Sequence, residues 1–155
     1  FGDHERTAQR FGNGVLRTGD LGFMRDGQLY VVGRMDDMIS VAGRNIYARE
    51  IEAAVDLLPT VRSGCSTIVD IPDGASSRLV MLMELRDGDG DYEQITSTVA
   101  RIAMSKAGVG LGECVFMPKG GLPKTPSGKI QRFRCRQMLT ADTLEPVARV
   151  WACAG

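Results

Sequence analysis

The sequence predicts an α+β fold, and three observations carry that expectation. Asp26-Gly27 separates Phe23-Met24-Arg25 from Gln28-Leu29-Tyr30-Val31-Val32, which is the two-residue signal of a β-hairpin. Ile51, Ala54, Val55 and Leu58 fall at i, i+3, i+4 and i+7, an apolar stripe of helical period. Leu79-Val80-Met81-Leu82-Met83 is apolar on both faces of an extended chain, which suits a central strand covered on each side.

Taken in order, residues 1–17 carry little pattern, and Phe1 is not an initiator methionine, so a piece of a longer protein is expected, processing being the alternative. Arg17-Thr18-Gly19-Asp20-Leu21-Gly22 reads as a turn that exposes Asp20. Such a carboxylate can accept two hydrogen bonds from vicinal hydroxyls, as on a ribose, or can bond its own backbone. After the hairpin, Gly33-Arg34-Met35-Asp36-Asp37-Met38-Ile39 leads to a second short β segment with Ala42-Gly43-Arg44-Asn45 as its turn. The Ile51 helix is expected to end at Pro59. Cys65 to Ile71 and Leu79 to Leu85 read as strands, with the methionines as core packing. Asp87-Gly88-Asp89-Gly90-Asp91 opens like a calcium loop, but Tyr92 and Thr98 stand where that loop needs Gly and Glu. Asp91 reads instead as the N-cap of a helix with Gln94 as its capping partner and Ile95, Val99, Ile102 and Ala103 on one face. Gly108, Gly110 and Gly112 lie between this helix and the strand Cys114-Val115-Phe116-Met117; a dinucleotide fingerprint needs the reverse order.

The 155 residues suffice for one ordinary domain or a small domain with a flanking piece, and 43% hydrophobic and 25% charged are globular values. The formal net charge is zero, so overall charge predicts no nucleic-acid or anionic-membrane partner. No apolar run reaches the roughly 20 residues a membrane helix needs, and no basic-then-apolar start marks a signal peptide. Cys65, Cys114, Cys135 and Cys153 form no C-x-x-C pair, and read as free thiols in a reducing, cytoplasmic compartment. His4 is the single histidine, which argues against a Ser-His or Cys-His pair within this chain.

One stretch organises the rest: Leu122-Pro123-Lys124-Thr125-Pro126-Ser127-Gly128-Lys129-Ile130-Gln131-Arg132. Two prolines fix their own φ and push their predecessors to extended geometry, while Gly128 permits a turn. The result is either a stiff loop holding Lys129 at the mouth of a helix, suited to a developing negative charge, or an ordinary loop whose lysine is only solvated. A Walker loop fails here, because Pro123 and Ile130 stand where that motif needs Gly and Ser or Thr. From Lys119 to Arg136 there are six basic residues and no acidic one. On one helix Lys129, Arg132 and Arg136 would share a face, either simply solvated or docking an acidic partner or a phosphate-bearing ligand.

Three of these pieces, in this order, resemble the C-terminal end of the adenylate-forming superfamily of acyl-CoA synthetases, peptide-synthetase adenylation domains and luciferases. They are Arg17-Thr18-Gly19-Asp20; Gly33-Arg34-Met35-Asp36-Asp37-Met38-Ile39 running on to Gly43 and Glu50-Ile51-Glu52; and Leu122 to Lys129. Within it the chain is most similar to fatty acyl-AMP ligases of the mycobacterial type, through Gly43-Arg44-Asn45-Ile46-Tyr47, Arg62-Ser63-Gly64-Cys65 and Gln131-Arg132-Phe133-Arg134-Cys135-Arg136.

The resemblance implies the trailing edge of a large N-terminal domain and a linker over 1–35, and a small mobile C-terminal domain over 36–145. It implies a mostly antiparallel sheet packed by helices in the latter, and a tail over 146–155. It implies that Asp20 binds the ribose of ATP with help from Arg34. Asp36 is then the hinge, Gly43, Arg44 and Asn45 line the acceptor side, and Lys129 is the adenylation lysine. ATP is the cosubstrate, with Mg2+ whose ligands this chain does not supply; no metal site is expected here. A fatty acid is activated and passed to an acyl carrier protein or a polyketide synthase. Many CoA ligases carry a lysine where Ser40 stands, so its absence favours a carrier over CoA, although an acyl-CoA synthetase using free CoA remains the alternative. A basic binding module without catalysis is a remoter one. Without the N-terminal domain the chain is not expected to catalyse adenylation.

Overall fold

The computed structural model describes residues 11, 12, 14–41, 43–74, 76–88 and 90–152. The readings placed on His4, Ala42, Asp89 and Cys153 lie outside those residues. Contacts divide the chain into two units, the first ending at Met38 and the second beginning at Ile39.

The first unit holds two small antiparallel pairs, β1 (Phe11–Gly12) with β2 (Val15–Leu16) and β3 (Asp20–Arg25) with β4 (Gln28–Arg34). Asp26 and Gly27 make the second hairpin as the sequence predicts, with φ of 52° and 76°. Two consecutive positive φ values match the right-handed strand twist, and Asp and Gly tolerate them best. Register pairs Asp20 with Arg34 and Phe23 with Tyr30, whose rings stack at 5.2 Å. Phe23, Met24, Leu29, Val31 and Val32 are all exposed on this hairpin. A 3-10 turn, Met35–Asp37, closes the unit, and the Met35 amide donates to the Gly19 carbonyl at 2.8 Å.

The second unit is an α+β layer structure. A hairpin of β5 (Met38–Val41) and β6 (Arg44–Tyr47) leads into α1 (Ala48–Val55). Then follow β7 (Val61–Asp73), β8 (Ser76–Leu85), α2 (Tyr92–Ala107), β9 (Glu113–Met117), α3 (Arg132–Thr140) and β10 (Ala148–Trp151). The main sheet runs β10-β9-β8-β7. It is antiparallel at β7/β8 and β9/β10 and parallel at β8/β9, the pair that α2 connects. Alternation along β8 explains the run that is apolar on both faces. Leu79, Met81 and Met83 pack with Ile51 and Val55 of α1 and Val99 and Ala103 of α2. Val80 and Leu82 face the opposite way, onto Cys135 and Leu139 of α3. Met81 and Met83 are fully buried, the core role expected of them.

Asp91 caps α2 by accepting from the Gln94 amide at 2.9 Å, and Gly108 ends it with φ 63°. Two boundaries differ from expectation. α1 stops at Val55 rather than near Pro59. Leu58 precedes that proline, and Asp56 instead accepts from the Gly64 amide at 3.1 Å and the Ser66 hydroxyl at 2.7 Å. Leu58 still packs against the core. Ala148–Trp151, within the span 146–155 expected to be a tail, form β10 at the sheet edge, where Arg78 lies 4.7 Å over the Trp151 ring. No helix among the described residues is long and apolar enough to cross a membrane.

Two kinds of buried polar group sit in this core. Glu84 of β8 is 0% exposed. Its Oε2 accepts from Arg62 Nη1 at 2.6 Å and its Oε1 from the Leu122 amide at 3.2 Å. Burial alone would raise its pKa; the amides of Gly120 and Leu122 together with Arg62 outweigh it and hold the carboxyl below the usual range. Cys65, Cys114 and Cys135 are free thiols. Burial, with the neighbouring carboxylates of Glu113 and Glu52 adding to it, pushes Cys114 and Cys135 up to about 12.

Two outcomes follow from these environments. A maleimide at neutral pH should label neither Cys114 nor Cys135 in the folded chain and both after denaturation, because the thiolate is the nucleophile; peptide mapping reads this. The stabilisation from Glu84 should be complete above the ordinary glutamate pKa of about 4.3 and lost as pH falls through the lower folded value. Glu84→Gln should therefore cost about 1.5–3 kcal/mol at neutral pH, shrinking below about pH 4, in urea unfolding across a pH series.

Candidate functional site

Leu122 to Gln131 fold back on themselves as a narrow hairpin. Lys124 and Ile130 form an antiparallel bridge. The Thr125 amide donates to the Lys129 carbonyl at 2.8 Å, the Gly128 amide to the Thr125 carbonyl at 2.8 Å, and the Gln131 amide to the Pro123 carbonyl at 2.9 Å. Pro126 takes the second turn position, where its fixed φ is preset, and Gly128 takes φ 83°, where a β-carbon would be strained. Thr125 adds its side chain, since Oγ1 accepts from the Lys129 amide at 3.1 Å and lies 2.9 Å from Ser127 Oγ. Gln131 Nε2 donates to the Lys124 carbonyl at 2.8 Å. The backbone of Lys129 is thus fixed on both sides, while its side chain is exposed.

Lys129 is not on a helix with the arginines that follow it. It sits on the returning arm, and α3 begins only at Arg132. The expected basic face is replaced by ion pairs. Arg132 Nη2 lies 2.8 Å from both carboxylate oxygens of Glu52, with both side chains mostly buried. Arg136 Nη2 lies 3.0 Å from Asp70 Oδ2. Lys124 turns toward β7, with Nζ 3.2 Å from the Gly64 carbonyl and 3.0 Å from Cys65 Sγ. Of the other four cations in the stretch, Lys119, Lys129 and Arg134 are exposed, and Lys124 is half-buried.

The first unit brings together Asp20 and Arg34. They face each other across the β3/β4 ladder, with Arg34 Nε 3.4 Å from Asp20 Oδ1 and both side chains about half exposed, 49% and 45%. The Asp20 amide donates to Thr18 Oγ1 at 3.1 Å, so Thr18 rather than Asp20 caps this turn. The carboxylate is left facing outward, a geometry open to two hydroxyl donors. Asp36 lies in the 3-10 turn just before the division between the units. Gly43 (φ 75°), Arg44 and Asn45 form the exposed β5/β6 connection and the start of β6. Arg44 Nη1 donates to the Gly108 carbonyl at 3.0 Å, placing its charge at the C-terminus of α2, where a cation is favoured.

Read along the sequence, Glu52 and Thr125 belong to the Glu50-Ile51-Glu52 and Leu122 to Lys129 motifs with no role of their own, and Glu84 lies unremarked in a strand; its one signal is an acid in otherwise apolar surroundings, Met83-Glu84-Leu85. Among the described residues no group of three His, Cys, Asp or Glu side chains could hold a metal ion.

No family profile matches the chain. It is 31% identical over 146 residues to the medium-chain-fatty-acid–[acyl-carrier-protein] ligase JamA of Moorena producens, covering 92% of this chain and 25% of that protein. A solved structure from a study of the fatty acyl-adenylate ligases of E. coli and L. pneumophila matches 92% of this chain and 26% of its own, at a TM-score of 0.73 and 29% identity. The structure of a Mycobacterium tuberculosis fatty acyl CoA synthetase matches 89% of this chain and 27% of its own, at a TM-score of 0.58 and 27% identity. The chain spans about a quarter of the length of these proteins. Sequence and fold are both similar to those of these proteins, and the chain belongs to the adenylate-forming superfamily, with fatty acyl-AMP ligases among its relatives.

Proposed function

We propose that this chain is the C-terminal part of a fatty acyl-AMP ligase and that Lys129 is the cation of its adenylation step. The observation that supports this most directly is the hairpin itself: a stiff, hydrogen-bonded loop that presents one exposed ammonium. When a fatty-acid carboxylate attacks the α-phosphate of ATP, two anions must approach and charge builds on the phosphoryl oxygens. An ammonium between the carboxylate and the α-phosphate lowers both costs. Asp20 is suited to accept from the two ribose hydroxyls, with Arg34 holding the carboxylate in place. Asp36, on the turn between the units, is the proposed hinge, and Gly43, Arg44 and Asn45 the acceptor-side surface. Rigid-body rotation about a hinge would exchange Lys129 for that surface between half-reactions. Mg2+ accompanies ATP phosphates in such chemistry; among the described residues no group of three His, Cys, Asp or Glu side chains could hold it.

The exposed apolar residues of the β3/β4 hairpin support a further element of the reading: a large N-terminal domain that covers them and carries the acyl pocket. The free thiols suit a reducing cytoplasm. The proposed acceptor is a phosphopantetheinylated carrier protein or polyketide synthase. Ser40, exposed on β5, stands where many CoA ligases carry a lysine, which favours the carrier over free CoA.

In the full-length enzyme supplied with ATP, Mg2+ and a fatty acid, Lys129→Ala should slow acyl-AMP formation by about 10²–10³-fold, the usual effect of removing one charge-stabilising group. A wild-type rate would reject the role. Offered CoA and carrier protein in parallel, the wild-type enzyme should acylate the carrier at the higher kcat/KM; efficient acyl-CoA formation would identify a synthetase instead.

A further inference from the structure

The segment from Pro118 to Gln131 has no helix and only one isolated bridge, yet it is tied down at both ends. Each tie is a carboxylate from elsewhere in the second unit. At the entrance, Glu84 of β8 accepts from the Leu122 amide at 3.2 Å and is held in turn by Arg62 at 2.6 Å. At the exit, Glu52 of α1 takes Arg132 on both oxygens at 2.8 Å. Glu52 is fixed as well, because its Oε1 accepts from Thr67 Oγ1 at 2.9 Å and the Ile68 amide at 3.0 Å. The two carboxylates therefore connect the ends of the loop to β7, β8 and α1, the most buried part of the unit.

Their chemistry suits holding rather than reacting. Each is matched by an arginine, so neither draws on the Lys129 ammonium. The Glu52–Arg132 pair is largely shielded from water, and Glu84 is enclosed although Arg62 reaches solvent; loss of a partner from such a carboxylate leaves a buried charge. Between the ties the loop keeps its shape by its own hydrogen bonds, as described above. What the ties add is the placement of that shape on the sheet. Charge stabilisation is sensitive to such placement, and about 1 Å of error can cost about 10²-fold in rate.

We propose that Glu84 and Glu52 are positioning residues for the adenylation step, suspending the Lys129 hairpin between two fixed carboxylates so that its ammonium reaches the reacting anions at a set distance. This rests on the reading of Lys129 as the adenylation lysine. Neither carboxylate touches substrate. Their effect runs only through Lys129 and belongs only to the half-reaction that uses it.

The test uses the full-length enzyme and measures the half-reactions separately: acyl-AMP formation from ATP and fatty acid, and acyl transfer from supplied acyl-AMP to the acceptor. Glu84→Gln and Glu52→Gln should each lower kcat for acyl-AMP formation by about 10–100-fold. The KM for ATP and the transfer rate should stay within about twofold. Placed on Lys129→Ala, neither change should slow adenylation further, because the group they position is gone. A general folding defect would slow both half-reactions and would add to Lys129→Ala; either result overturns the proposal, as does a wild-type adenylation rate in both glutamine variants. If Glu84→Gln does not fold, Glu52→Gln and Glu84→Asp carry the same test. A Lys129→Ala enzyme that forms acyl-AMP at the wild-type rate would instead sink the role of Lys129, a failure the single variant distinguishes.

Discussion

The carboxylate of Glu84 is the constraint on which the second unit turns. It is fully enclosed, and an isolated charge there would be prohibitively costly. Its partners therefore have to come to it, and they come from two directions. Arg62 arrives from β7 near the register shift, and the Leu122 amide arrives from the loop after β9. One buried acid thereby fixes where an irregular segment crosses the sheet. Apolar packing alone would leave that position loosely defined, because hydrophobic contact has no direction. Leu122 itself is buried, so the amide and the side chain at that position point the loop the same way.

The same logic recasts the basic stretch. Read along the sequence, six cations without an acid look like a surface for anions. In the fold, acids distant in sequence answer the arginines: Glu52 lies 80 residues before Arg132, and Asp70 answers Arg136. Two of the cations in the stretch are thereby paired across the fold, while Lys129 stays exposed on its hairpin.

Much of the fold was legible because periodicity survives in short windows. The Asp26-Gly27 turn, the two amphipathic helices, the doubly covered β8 and the Asp91 cap each rest on contacts within a few residues. The features that escaped depend on contacts between distant segments. β10 is four residues long and carries two side chains that are not apolar core, so only its place beside β9 makes it a strand. α1 ends early because Asp56 is engaged by Gly64 and Ser66, a contact no local window contains. The Lys129 hairpin and the facing of Asp20 and Arg34 across a β-hairpin rest on local turn and strand signals, whereas the contacts of Glu52 and Glu84 do not, since their partners lie up to 80 residues away.

The tightness of the Thr125–Lys129 turn has an entropic consequence. A flexible loop would have to freeze several backbone torsions each time the site is assembled, at roughly 1–2 kcal/mol per residue. Here those torsions are already fixed by hydrogen bonds formed when the domain folds. What is left to order on binding an anion is the exposed lysine side chain itself, whose rotamer freedom is about 2 kcal/mol. On the proposed role of Lys129, the ordering cost of each turnover would be confined to that side chain, and the larger cost met once, in folding.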